Sequence, residues 1–334
     1  MKVVFTGLSR DEWNFYSSNL KNVELFLFEE TIDELDMGDI YDADILSVFV
    51  FDKLDRETLE HFTELKLIHT RSVGYDHIDV NYCREKGVLL THVPDYSPSA
   101  VAQHALALIL SLVRFLPRFK ARTQTMNFGR DKSVLGSNIE DLTVGIIGTG
   151  KIGSLVARYM VSLGAKVLAH DLCESEELKK MGVIYVPIQQ LLSESDVISL
   201  HVPYTRETHH LIDEKAIKLM RNDVVLVNTS RGGVIDTEAL YRAYKEGKFS
   251  GLGLDVFEEE EVLILKRYSN RTGSHLSLKL LELNVHDNVL ITPHIAFYTK
   301  RALENIRNST LSVIKSFISG DIDSLSPFVV NRGS

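Results

Sequence analysis

The stretch Val144-Gly145-Ile146-Ile147-Gly148-Thr149-Gly150-Lys151-Ile152-Gly153 decides the fold. It carries G-x-G-x-x-G at Gly148, Gly150 and Gly153. An apolar strand precedes it, and a helical segment, Ser154 to Leu163, follows and stops at Gly164. Gly148 permits a tight turn, Gly150 lets backbone approach a pyrophosphate, and Gly153 lets the helix pack on the strand. The free N–H groups at the helix start suit a diphosphate. Taken alone the glycine pattern is weak, since a glycine turn beside a surface acid looks the same. The next strand removes that ambiguity: Lys166 to His170 ends in Asp171, about 20 residues on. A carboxylate there accepts from both ribose hydroxyls and repels a 2′-phosphate, which predicts NAD rather than NADP.

Outward from this loop, short β-branched runs alternate with helical stretches. On the C-terminal side of the loop's own strand, Thr143 to Ile147, the runs are Lys166 to His170, Val183 to Val186, Val197 to Val202, Val224 to Asn228, Gly251 to Asp255 and Val289 to Thr292. The first hundred residues hold a second series: Val3 to Thr6, Ile45 to Phe51, Leu65 to Thr70 and Val88 to Val93. Nearly continuous apolar runs are those of parallel strands covered on both faces, so the class is α/β. Two long amphipathic stretches, Ser99 to Phe115 ending near Pro117 and Thr299 to Ile318 ending at Gly320, are read as the domain crossings. This predicts one domain of residues 1–98 and 294–334, and another of residues 99–293. Glu258 to His286, with Arg267, Asn270, Arg271 and Gly273, is read as a long loop holding a short helix.

Bulk properties bound the rest. A length of 334 residues suggests two domains. The hydrophobic and charged fractions, 44% and 25%, are those of a globular chain. The charge of −9 argues against a nucleic-acid binder. Cys83 and Cys173 lack C-x-x-C spacing, which predicts no disulfide framework, no thiolate metal site and a cytoplasmic location. The apolar run at Ala105 to Leu112 is too short for a membrane span, and the N-terminal run too short for a signal peptide.

Three strand ends carry polar groups that a core would not accept: Asn228-Thr229-Ser230-Arg231-Gly232-Gly233, Asp255 with Phe257 and Glu258 to Glu261, and Pro293-His294. In a doubly wound sheet such ends face the ligand crevice. Reduction of a 2-oxo acid needs a cation for the carboxylate, a proton donor for the carbonyl oxygen and a hydride. Arg231 offers the bidentate fork and His294 the proton, while an acid of the Glu258–Glu261 run is the partner that would raise the histidine's pKa and hold its ring. Singly, each residue has a bland reading, as a surface ion pair, a structural histidine or a solvated acidic face. Their joint placement behind one dinucleotide fold favours chemistry.

With these residues in hand, the chain resembles the D-isomer-specific 2-hydroxyacid dehydrogenases over nearly its whole length. The resemblance rests on Arg71-Ser72-Val73-Gly74-Tyr75-Asp76-His77-Ile78-Asp79, Tyr96-Ser97-Pro98-Ser99-Ala100-Val101-Ala102, the glycine loop, His201-Val202-Pro203, Asn228-Thr229-Ser230-Arg231-Gly232, Leu254-Asp255-Val256-Phe257-Glu258 and Thr292-Pro293-His294-Ile295-Ala296. It implies a Rossmann NAD-binding domain inserted in a flavodoxin-like substrate domain, both doubly wound parallel sheets. By motif, Arg231 is similar to the family's substrate arginine, His294 to its acid/base, and Glu260 to the glutamate paired with that histidine. The amides of Val73 and Gly74 resemble a second carboxylate clamp. Asp255, Thr229 and Ser230 are similar to residues around the nicotinamide, and Lys151, Ile152, Val202, Pro203 and Thr208 to residues lining the rest of the cofactor.

Within the family, the branch acting on pyruvate and D-lactate is the most similar, through Tyr96, the long loop after Glu260 and the Phe297-Tyr298 pair. Gln103, where the family often has Glu, and Phe297, where this branch often has Tyr, are departures. The family also implies a homodimer through the cofactor domain, with Ser99 to Phe115 as a contact, and a cleft that closes about the crossing helices. The rival readings are a sister enzyme for hydroxypyruvate, glyoxylate or a bulkier 2-oxo acid, and an NAD-sensing corepressor on the same fold. A long phosphoglycerate dehydrogenase is disfavoured by the short stretch after His294. No nucleic acid, membrane or metal is expected.

Overall fold

The apolar runs form parallel strands, and the strands fall into two sheets. The computed structural model describes residues 1–35, 38, 40–264 and 275–331. Two units emerge: Met1–Ser97 with Thr299–Ser334, and Pro98–Tyr298. The first crossing lies one residue from the expected boundary. The second comes at Thr299 rather than His294, because the backbone of His294, Ile295 and Ala296 is hydrogen-bonded to Asp255 of the second unit.

The first unit is built on a five-stranded sheet of β1 (Lys2–Phe5), β2 (Glu24–Leu27), β3 (Ile45–Val48), β4 (Leu67–Thr70) and β5 (Leu89–His92), in the order β2-β1-β3-β4-β5. Every neighbouring pair is parallel. That order is the flavodoxin-like one. Alternation sends Val4, Leu46, Val48, Ile68 and Leu90 to one face, against Ile32, Leu59 and Cys83. Val3, Phe5, Ile45 and Leu67 go to the other, against Tyr16, Val313 and Ile314. The last two residues belong to helix Lys300–Ser319, which Thr299 caps at one end and left-handed Gly320 at the other. Strand β2 was not foreseen: Glu24-Leu25-Phe26-Leu27 is a half-buried edge strand with little β-branched content.

The second unit is built on seven strands, β6 (Thr143–Ile147), β7 (Lys166–His170), β8 (Ile184–Tyr185), β9 (Val197–Leu200), β10 (Val224–Asn228), β11 (Phe249–Leu254) and β12 (Val289–Ile291). Their order is β12-β11-β10-β9-β6-β7-β8, again all parallel. The order reverses between β6 and β9, and a ligand crevice lies outside the carboxyl ends at such a point. Val144, Ile146, Val197, Val225 and Val227 bury one face against helices Pro98–Val113 and Lys151–Ser162. Ile198, Leu200, Leu226, Leu252 and Leu254 bury the other against Leu191, Ile217 and Leu240.

Pro117 does not stop a helix. It sits in the first turn of helix Leu116–Gln124, where its missing N–H is harmless, and the break before it is left-handed Phe115. Among the described residues between Glu258 and His286 two helices stand, Glu260–Ile264 and His275–Leu283, where one was expected. Arg267, Asn270, Arg271 and Gly273 lie outside the described residues. Among the described residues no single helix is long and apolar enough to cross a membrane, and no group of His, Cys, Asp and Glu could hold a metal ion.

Candidate active site

The glycine turn follows β6 directly. Gly148 has φ +89°, and a Cβ there would lie 2.6 Å from the His201 carbonyl oxygen at the end of β9. Only glycine fits so tight a switch-point turn. At Gly153 a Cβ would lie 1.9 Å from the Gly148 carbonyl oxygen, so helix and turn touch backbone to backbone. Gly150 is different. It is the N-cap of helix Lys151–Ser162, and nothing lies within 4 Å of its would-be Cβ. The helix therefore begins at Lys151 rather than Ser154, and the N-cap Gly150 places no side chain over its start, the end of a helix that suits a diphosphate.

Asp171 stands one residue beyond β7 and is anchored by its neighbours. Thr149 donates to its Oδ2 from N at 2.5 Å and from Oγ1 at 3.1 Å, and the Cys173 N–H donates to Oδ1 at 2.9 Å. Partial burial works to raise its carboxyl pKa, but these N–H and hydroxyl donors outweigh it and hold it below the usual carboxylate range. An ionised, fixed carboxylate suits a ribose diol and opposes a 2′-phosphate. Tyr185 extends the set by donating to Thr149 Oγ1 at 2.9 Å, a contact across β8 that sequence spacing did not suggest.

The loop after β9 carries Val202, Pro203 and Thr208. Val202 Cγ1 would lie 2.9 Å from a Cβ on Gly148, so this side chain borders the glycine turn. Thr208 Oγ1 donates to the Pro203 carbonyl at 2.6 Å and closes the loop.

At the end of β10, the fully buried Asn228 shapes the next turn. Its Nδ2 donates to the Arg231 carbonyl at 2.9 Å, and its Oδ1 accepts from Ser230 N at 3.0 Å and Ser230 Oγ at 2.7 Å. Sequence reasoning quoted Asn228 without giving it a role. Thr229 Oγ1 is buried with no partner among the described residues, an orphaned polar atom of the kind a cofactor group satisfies. Gly232 brings this turn onto the next strand end, since a Cβ there would lie 2.3 Å from the Phe257 carbonyl oxygen.

The end of β11 resolves the acidic run. Glu258 is turned away, accepting from His210 Nε2 at 2.8 Å and Thr237 N at 2.9 Å. Glu259 has φ +60°, a conformation few non-glycine residues adopt, and the chain reverses there. Glu260 thereby folds back: Oε2 accepts from Phe257 N at 3.0 Å, and Oε1 meets His294 Nδ1 at 2.6 Å. The two side chains are only 14% and 15% exposed, so this is a shielded pair. His294, just after β12, is itself left-handed at φ +53° and is fixed by its N–H to the Asp255 carbonyl at 2.9 Å. Asp255, 1% exposed, accepts from Thr292 Oγ1 at 2.5 Å and from Ile295 N and Ala296 N at 2.9 Å each.

Three adjacent strands, β10, β11 and β12, thus bring together the Arg231 turn, Asp255 with Glu260, and His294. Glu260 thus engages the Nδ1 side of the His294 ring. The glycine cradle, the anchored Asp171 and the orphaned Thr229 hydroxyl fit NAD. Lys151 and Ile152 open the helix behind the glycine turn, and Val202, Pro203 and Thr208 stand on the loop after β9.

Val73, Gly74 and Tyr96 belong to the first unit. The Val73 carbonyl meets His92 Nδ1 at 2.8 Å and the Gly74 carbonyl accepts from Ser72 Oγ at 2.6 Å, so the loop after β4 is held by its carbonyls. Arg71, which opens that loop, is buried in the sheet end and donates to the carbonyls of Ser47 at 2.8 Å and Thr6 at 2.5 Å. The Tyr96 carbonyl accepts from Asn305 Nδ2 at 2.7 Å.

Comparison with known proteins agrees with this geometry. The family model for the NAD-binding domain of D-isomer specific 2-hydroxyacid dehydrogenases matches residues 106–296. A crystal structure of D-lactate dehydrogenase from Aquifex aeolicus, complexed with NAD and lactic acid, superposes with a TM-score of 0.97 at 50% identity and covers 100% of both chains. The D-lactate dehydrogenase of Escherichia coli is 36% identical over 300 residues, 89% of this chain and 90% of its own length. The glyoxylate reductase of Thermococcus litoralis is 36% identical over 300 residues, 88% of this chain and 85% of its own. With a glycine cradle for NAD and a shielded histidine–carboxylate pair at neighbouring strand ends, the chain belongs to the D-isomer-specific 2-hydroxyacid dehydrogenases, NAD-dependent oxidoreductases acting on a CH–OH group.

Proposed function

We propose that this chain is a D-lactate dehydrogenase that reversibly reduces pyruvate with NADH. The observation that carries the proposal is the His294–Glu260 pair, 2.6 Å apart and shielded, with His294 following β12 and Glu260 following β11, the strand beside the β10 that bears the Arg231 turn. The bound cofactor supplies the hydride in one direction and accepts it in the other. Arg231 holds the substrate carboxylate with its planar fork and polarises the carbonyl oxygen. His294 gives its Nε2 proton to that oxygen as hydride reaches C2, and takes it back in the reverse direction. Glu260, held by the Phe257 N–H, keeps the ring aimed throughout. Val73, Gly74 and Tyr96 enter as substrate contacts through the family resemblance.

The sister reading, glyoxylate or hydroxypyruvate as the preferred acid, draws support from the glyoxylate reductase relative, whose identity equals that of the E. coli enzyme. NADH oxidation across a panel of 2-oxo acids, with product chirality checked, separates the two. The D-lactate reading predicts the highest kcat/KM with pyruvate and a D product; a clear preference for glyoxylate or hydroxypyruvate would replace it with the sister reading.

The reading includes a homodimer. Leu116, Met126, Phe128 and Leu135 of the second unit are 55%, 81%, 71% and 76% exposed, and large apolar side chains left open to solvent are candidates for such a contact. It also places the enzyme in the cytoplasm, in keeping with two cysteines that are both free thiols.

A further inference from the structure

One imidazole outside this chemistry is bonded into it. His104 lies in helix Pro98–Val113, a segment whose sequence shows only amphipathic periodicity. Its Nε2 is 3.0 Å from Thr292 Oγ1 and 3.5 Å from Asp255 Oδ1. The Thr292 hydroxyl has a single proton, and it is spent on Asp255 Oδ1 at 2.5 Å. The hydroxyl can therefore only accept from His104, so Nε2 carries the hydrogen.

From Asp255 the bonds run on to the acid/base. Oδ1 accepts from Ile295 N, Oδ2 from Ala296 N, and the Asp255 carbonyl from His294 N. One buried residue thus grips residues 294–296 through both its side chain and its main chain. His294 needs that grip, because at φ +53° a histidine keeps a left-handed backbone only where its surroundings over-determine it.

We propose that His104 is a positioning residue for the acid/base. Its Nε2–H orients the Thr292 hydroxyl, the hydroxyl fixes the Asp255 carboxylate, and the carboxylate holds the backbone that aims His294 at Glu260. Without the imidazole, Thr292 is free to rotate and Asp255 loses its fixed donor. The line of bonds lies wholly within Pro98–Tyr298. The inference rests on reading His294 as the acid/base.

The test uses H104L, H104Q, T292V, the H104L/T292V double variant and H294Q, assayed with NADH and pyruvate, glyoxylate or hydroxypyruvate. H104L is expected to lower kcat up to about tenfold, the upper size of one hydrogen bond between neutral groups, with the NADH dissociation constant little changed. H104Q places an amide N–H near the position of Nε2 and should recover most of kcat, which a loss of packing alone would not allow. The double variant should be no slower than T292V, because one line of bonds is cut at either place. Wild-type kcat in H104L, an H104Q as slow as H104L, or losses that multiply in the double variant would each overturn the inference. Should H104L fail to fold, T292V decides: wild-type kcat there overturns it and a comparable loss upholds it. An H294Q enzyme within tenfold of wild type sinks the acid/base reading itself, whereas a slow H294Q beside an unimpaired H104L sinks only the role of His104.

Discussion

At the scale of single residues, the proposed proton chemistry rests on one imidazole whose Nδ1 meets Glu260. If His294 is the proposed acid/base, replacing it by Gln should lower kcat by about 10²–10⁴. Steady-state kinetics checks this, and a loss under about tenfold would take the role away from His294. Arg231, Asp255 and His294 were legible because polar side chains at strand ends conflict with a core. Glu260 was legible only by resemblance: it lies in a run of four acids, and the left-handed turn at Glu259 that separates it from Glu258 leaves no mark in composition. Asn228, Tyr185 and His104 were not legible as site residues. Their partners are far away in the chain or are backbone atoms, and no local spacing encodes such contacts.

At the scale of elements, the strand–turn–helix unit from Thr143 to Ser162 makes a contrast between two of its glycines testable. Gly153→Ala drives a methyl into the Gly148 carbonyl, so the helix must move off the strand. A cost of about 1–3 kcal/mol is expected, as for other overpacked sites. Gly150→Ala has room, so it should leave thermal stability nearly unchanged while weakening NADH by about tenfold or more, since the methyl enters the space kept for the diphosphate. Calorimetry and a fluorescence titration of NADH check the pair. Equal stability losses in the two variants would contradict the division of roles. The β-branched strands were legible as elements, β6, β7 and β10 at both ends, while β3, β4, β9 and β11 differ by two or three residues at one end. The errors have separate causes: β2 is a half-buried edge without β-branched residues, Pro117 opens a helix as readily as it closes one, and the bonds that tie His294–Ala296 to Asp255 are set by tertiary contact.

At the scale of the molecule, acid sensitivity and assembly can be foreseen. His69 is fully buried between the hydroxyls of Thr91 and Thr310, at 3.0 Å and 3.1 Å. Burial first, then the charge of Arg71 and of His92, pushes its pKa down from 6.5 to about 3. Across that window the unfolded chain binds a proton here that the folded chain does not, so stability falls as pH drops from about 6.5 towards 3. Thermal unfolding followed from pH 7 to 4 should show a shallower decline in His69→Gln than in the wild type; parallel curves would exclude the histidine as the cause. The proposed dimer predicts that Met126→Ser with Phe128→Ser shifts sedimentation towards the monomer, and a variant that sediments as the wild type does would rule this patch out. Helix Lys300–Ser319 has a further consequence. It supplies Val313 and Ile314 to a sheet whose strands all come from the first hundred residues. On the ribosome, where chains emerge N-terminus first, one greasy side of that nascent sheet has only the early helix with Tyr16 over it until the whole inserted unit has been translated. Aggregation during synthesis, and a call on chaperones, are therefore built into the order in which the gene is read.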